Sequence, residues 1–97
     1  MLMEPGWDEQ VAHLQRLAGE LGKRGFTAQL GGGTRHASLR AANPATPQLT
    51  ERVLCETADD GSWCYWWPWR QPIGSVDDVG LVADKITAVL RSVGGQP

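Results

Sequence analysis

The side chains able to act as nucleophile, general base or metal ligand are few and scattered. They are Cys55 and Cys64, His13 and His36, and the acidic pairs Asp59-Asp60 and Asp77-Asp78. A structural zinc site needs four ligands, usually two closely spaced pairs. There is no Cys-x-x-Cys, neither histidine stands at ligand spacing from the other, and Cys55, Cys64 and His36 together fall one ligand short. A nucleophilic thiol or hydroxyl needs a base held beside it. No motif places His13 or His36 next to a cysteine or serine in that way. Two reduced thiols facing each other across a hairpin are the expected state, because a free cysteine behaves as a small hydrophobe. The acidic pairs have structural uses, one as part of a turn before Gly61 and one at a helix start. Gly31-Gly32-Gly33-Thr34-Arg35 lacks the glycine spacing, the lysine and the following helix of a phosphate-binding loop. The expectation is a chain with no catalytic residue, no metal and no cofactor.

What the chain has instead is Trp63-Cys64-Tyr65-Trp66-Trp67-Pro68-Trp69, with four of its five tryptophans and its only tyrosine in seven residues. Aromatic residues favour a pleated, half-buried surface, and strand side chains alternate between faces. The run therefore predicts a strand ended by Pro68, which has no N–H to give to a ladder.

Other elements must hold that strand. Asp8 predicts a helix to about Leu21, with Val11, Leu14, Leu17, Ala18 and Leu21 in one apolar stripe. Trp7 is placed to staple onto its first turns, Gly22 to end it, and His13 falls on its solvated side. Phe26–Leu30 alternates as a strand, the glycines 31–33 make a turn, and Thr34–Ala42 forms a second strand with His36 outward. Asn43–Pro47 reads as a loop because each proline restricts the residue before it. Glu51–Thr57 is a third strand. Asp59-Asp60-Gly61 is a strong hairpin signal leading into the tryptophan strand, and Trp69–Gly74 leads out of the sheet. Ser75, with acidic residues at 77 and 78, predicts a capped helix start. The stripe Val79, Val82, Ala83, Ile86, Val89, Leu90 and Val93 completes that helix before Gly94-Gly95.

This order predicts one α+β domain over residues 1–97, with frayed ends near 1–6 and 94–97. Its architecture is a helix, a four-stranded antiparallel meander and a helix, with both helices on one face. A hairpin loop of even length would put Val53, Cys55, Cys64 and Trp66 in the core, with Phe26, Ala28 and Leu39. Trp63, Tyr65 and Trp67 would then share the uncovered face with Arg52, Leu54 and Glu56.

The totals narrow the partners. A net charge of −2 argues against a sequence-independent nucleic-acid binder, which carries a basic stripe. No apolar stretch reaches the length of a membrane span, and Met1–Glu4 carries no signal-peptide pattern. The expected setting is the cytoplasm, without membrane association.

The stretch Asp59–Trp69, followed by Pro72-Ile73-Gly74 and an alanine- and valine-rich helix, resembles a set of small actinobacterial proteins with an acidic-Gly turn and a tryptophan-rich strand. The likeness covers roughly residues 43–92. It implies a cytosolic actinobacterial origin and carries no activity with it. At the level of fold, the helix–meander–helix order is similar to secretion chaperones, which bind proteins and often dimerise.

The functional expectation is a non-enzymatic protein-interaction module, a homodimer or an accessory to another protein. Trp63, Tyr65, Trp67 and Trp69 would form its patch, with Leu54, Arg52 and Arg70 beside them, since tryptophan, tyrosine and arginine dominate binding hot spots. The alternative is a small-ligand binder that stacks a planar or sugar group on the same aromatics.

Overall fold

The computed structural model describes residues 7–32 and 37–95. The chain runs α1 (Trp7–Lys23), β1 (Thr27–Gly32), β2 (Ala37–Asn43), β3 (Thr46–Thr57), β4 (Trp63–Trp66), β5 (Pro72–Ser75), a 3-10 turn (Val76–Asp78) and α2 (Val79–Gly95). The five strands form one antiparallel meander in sequence order. Both helices lie on the same face of this sheet and touch each other.

The α1 stripe works as expected. Leu14, Leu17 and Leu21 are fully buried, with Val11 and Ala18 at the margin, and each buried leucine contributes about 1.5–3 kcal/mol of transfer free energy. The helix passes Gly22 and ends one residue later, at Lys23. Gly25, at φ +84°, takes the left-handed position. Phe26 N–H donates to Leu21 O and Gly25 N–H to Gly22 O, each at 3.0 Å, the two bonds of a Schellman cap. The cap turns Phe26 into the core and delivers the chain to β1. Arg24, also in the cap, joins the helices. Its guanidinium donates to Glu20 and to Asp84 of α2, each at 2.9 Å, and to the Gly80 carbonyl at 3.3 Å.

Between β2 and β3, the loop expected at Asn43–Pro47 is shorter. Pro44 and Ala45 alone make the turn, with Asn43 Oδ1 accepting from Ala45 N–H at 2.9 Å. Asn43 already pairs with Thr46 across a bulge, so β3 begins five residues before the expected Glu51. No loop from this segment is left to close over the open face.

The strand count differs from expectation too. Trp69–Gly74 does not leave the sheet. The chain reverses over Pro68, Trp69 and Arg70, and Pro72–Ser75 pairs with β4. Sequence inspection misses this turn because Arg70, not glycine or asparagine, holds its left-handed position, at φ 69°. The register shifts between Tyr65 and Trp66, leaving Ile73 as an inserted residue on β5. Its side chain is buried and its carbonyl accepts from Lys85 Nζ of α2 at 3.0 Å, which satisfies a group the ladder leaves out.

Ser75 caps as expected, but what it caps is the 3-10 turn Val76–Asp78 that leads into α2. Ser75 Oγ accepts from Asp77 N–H at 3.1 Å, and Asp77 and Asp78 stand in the first turn. Val82, Ala83, Ile86 and Leu90 are buried. The helix approaches β5 so closely that a Cβ on Gly74 would lie 2.9 Å from Val82 Cγ2. Of the expected frayed end 94–97, Gly94 and Gly95 instead continue α2; expectations for 96–97, for 1–6, for His36, for Gly33 and for the start of the second strand at Thr34 fall outside the described residues. The side chains of Trp7 and Val93 fall outside them as well.

Candidate functional site: the helix-free sheet face

Which aromatics reach this face is decided by one loop. Ala58 N–H donates to Ser62 O at 2.7 Å and Gly61 N–H to Ala58 O at 2.9 Å, with Gly61 at φ +86°. This is a three-residue loop, a type I turn followed by a left-handed residue. Its length is odd, so residues of equal parity stand opposite each other: Cys55 with Tyr65, Glu56 with Cys64, Leu54 with Trp66. An even loop would have paired them the other way, and one residue of shift moves every side chain to the other face.

The expected aromatic patch is therefore turned inward. Tyr65 has 0% of its surface exposed and Trp67 has 9%. Both belong to the core with Val53 and Cys55. The Tyr65 hydroxyl donates to the His13 carbonyl of α1, giving the buried phenol its partner. Trp63 is half-buried at the margin of the same core, its ring 5.4 Å from that of His13. His13 is thus a packed residue, not a solvated one. Trp69, 56% exposed, stacks on Trp67 with centroids 5.2 Å apart and planes 5° from parallel. Its indole N–H donates to Gln71 Oε1 at 3.1 Å.

Cys64 and Trp66, expected in the core, lie on the helix-free side. Cys55 and Cys64 are both free thiols and occupy opposite faces of the sheet, so they do not face each other. Burial, reinforced by the nearby Cys64 and Glu56, pushes the Cys55 thiol up to about 12. It stays protonated at neutral pH and is no nucleophile.

The open face is then specified by strand parity. Leu54 and Trp66, directly opposed and both half-buried, are its apolar centre. The Trp66 indole N–H donates to the Glu56 carbonyl at 3.1 Å, which fixes the ring. Arg70 lies over that ring, 5.9 Å from its centroid, and reaches Glu56 Oε1 at 3.4 Å. Next along the sheet, Arg52 is paired directly with Arg40 of β2. Two shallow grooves border this pair. One of about 420 Å³ is lined by Arg40, Thr50, Glu51, Arg52 and Pro68, and one of about 260 Å³ runs from Arg40 and Arg52 to Ser38 and the Gln29–Gly32 edge.

Of the residues expected to form a patch, Leu54, Arg52 and Arg70 are brought together on this face, Trp69 stacks on Trp67 at a hairpin tip, and Trp63, Tyr65 and Trp67 serve the core. Trp66 and Arg40 were missed. Counting Asp59-Asp60-Gly61 as a three-residue loop is the signal that would have found Trp66. Arg40 was visible as an outward strand residue, but its opposition to Arg52 depends on the β2–β3 register.

Among the described residues, no group of three histidine, cysteine or acidic side chains could hold a metal ion, and no helix is long and apolar enough to cross a membrane. No family model, curated protein or solved structure matches this chain.

Proposed function

We propose that the protein is a non-enzymatic binding module that engages another protein through the helix-free face of its sheet. The observation that carries this reading is the Leu54–Trp66 pair, left half-exposed at the centre of a sheet whose other face has both helices. Large apolar side chains surrounded by arginines fit the anatomy of a binding hot spot. A meander with one bare face needs nothing further for stability, since antiparallel sheets tolerate water on one side. The apolar centre is therefore available for recognition.

A partner of different sequence is favoured over a face-to-face homodimer. Stacking two copies about a twofold axis would bring the Arg40–Arg52 pair of one copy towards the arginines of the other. The small-ligand alternative is weaker, because the grooves are shallow and lined mainly by polar side chains. The working compartment in this reading is the cytoplasm, where both thiols remain reduced.

The test uses the full chain and the double variant Leu54→Ala/Trp66→Ala as baits, with light scattering on both. A protein partner held by the wild type, reconstituted from purified components and lost in the folded variant, is the expected result. A variant that retains the partner, or a wild type that holds no purified protein and remains monomeric at high concentration, would overturn the reading.

A further inference from the structure

We infer that the partner presented to this face is an acidic segment of a protein, whose carboxylate is clamped between Arg40 and Arg52. This deepens the reading above and rests on it.

The two arginines are direct cross-strand neighbours on β2 and β3. On one face of an antiparallel pair, such Cβ atoms stand roughly 4.5–5.5 Å apart, and like charges there are destabilising. The free protein does little to relieve them. Neither guanidinium forms an ion pair or side-chain hydrogen bond among the described residues. By contrast Arg24, on another surface of the chain, and Arg70, on this same face, each have a carboxylate partner. Both grooves of the open face have Arg40 and Arg52 in their lining, so an incoming group meets the pair from either side.

Charge separation supports the same occupant. The chain carries net −2, yet this face and its grooves hold Arg40, Arg52 and Arg70 against Glu51 and Glu56, and Glu56 is engaged by Arg70. A carboxylate between the two free guanidiniums would form charge-assisted bonds that each planar fork is shaped to give. Leu54 lies two residues beyond Arg52 on the same strand face. That is about 6.6 Å at the usual rise per residue, so an apolar residue beside the carboxylate would rest on Leu54 and Trp66. A nucleic-acid backbone suits the face less well. It presents a repeating row of phosphates, for which this face offers one opposed arginine pair and no basic stripe.

The test uses a fluorescein-labelled decapeptide of alternating aspartate, glutamate and phenylalanine, its amide counterpart with asparagine and glutamine, and a ten-nucleotide single-stranded DNA. Anisotropy is read for the wild type and for Arg40→Gln/Arg52→Gln. The acidic peptide should bind at least tenfold tighter than the amide peptide, weaken with added salt, and lose tenfold or more in the double variant. The variant should melt no lower than the wild type, because a repulsive pair has been removed. Equal binding of acidic and amide peptides, no binding of the acidic peptide at millimolar concentration, or no loss in the variant would overturn the inference. Tighter binding of the DNA would overturn it in favour of nucleic acid. If Leu54→Ala/Trp66→Ala loses a purified partner that Arg40→Gln/Arg52→Gln retains, the binding face stands and the acidic specificity fails.

Discussion

Arg70 occupies in the β4–β5 hairpin the backbone position that Gly61 occupies in the β3–β4 hairpin. In each, the residue two positions after the loop begins closes it in the left-handed region, at φ 69° for Arg70 and +86° for Gly61. The hydrogen bonds match as well. Trp67 N–H donates to Gln71 O at 2.8 Å and Arg70 N–H to Trp67 O at 2.9 Å, repeating the Ala58–Ser62 and Gly61–Ala58 bonds. Glycine adopts this conformation freely, whereas a residue with a Cβ is penalised there by about 1–2 kcal/mol. In this turn the Arg70 guanidinium lies over Trp66 and beside Glu56.

Replacing Arg70 separates the backbone and side-chain effects. Arg70→Ala keeps the strain and loses the contacts, while Arg70→Gly loses both. Arg70→Gly should be the more stable of the two by about 1 kcal/mol in urea unfolding. Gly61→Ala should cost a comparable amount. Equal stabilities for the two Arg70 variants would mean that the turn relaxes without strain.

The inward and outward aromatics should respond differently to truncation. Tyr65→Ala empties a fully buried site and should cost about 3–5 kcal/mol, as large-to-small core changes do. Tyr65→Phe removes only the bond to His13 O and should cost about 0.5–1.5 kcal/mol. Trp66→Ala, on the open face, should cost less than Tyr65→Ala in the same denaturation series. A reversed order would restore the even-loop register.

The close approach of α2 to β5 predicts a contrast between two glycines. Gly74→Val forces side-chain atoms into Val82 and should cost about 1–3 kcal/mol. Gly80→Ala meets nothing nearer than 3.9 Å and should leave stability unchanged or raise it by up to about 1 kcal/mol, since alanine is the better helix former. Thermal melting of both variants checks this.

At the acid end, hydrogen bonds from Arg24 and then Lys23 hold the Glu20 carboxyl below its ordinary value of 4.5. A depressed carboxylate contributes stability that is present above the unfolded-state value and lost as pH falls through the folded one. Stability should therefore fall below about pH 4.5, and Arg24→Gln should flatten that part of the curve.

At the alkaline end the sign is opposite. Burial raises Cys55 from 9.0 to about 12 and also raises Tyr65 from its ordinary 10.0. The unfolded chain gives up these protons first, so stability should be complete below pH 9 and decline above it. Cys55→Ala should remove the part of the decline that begins near pH 9, read by tyrosinate absorbance and circular dichroism together.

The amino-acid sequence by itself determined both helices, the Ser75 cap, the meander and the core positions of Val53 and Cys55. Each of these is encoded locally, in the 3.6-residue stripe of Leu14, Leu17 and Leu21, in the two-residue alternation, or in a capping side chain. Tertiary structure decided the rest. The fifth strand depends on a left-handed arginine that no local rule predicts. The orientation of every aromatic in β4 depends on a single residue of loop length, because the side-chain period of a strand is two. The Arg40–Arg52 opposition exists only once β2 and β3 are in register, a fact about two segments 12 residues apart in number and adjacent only in the folded sheet.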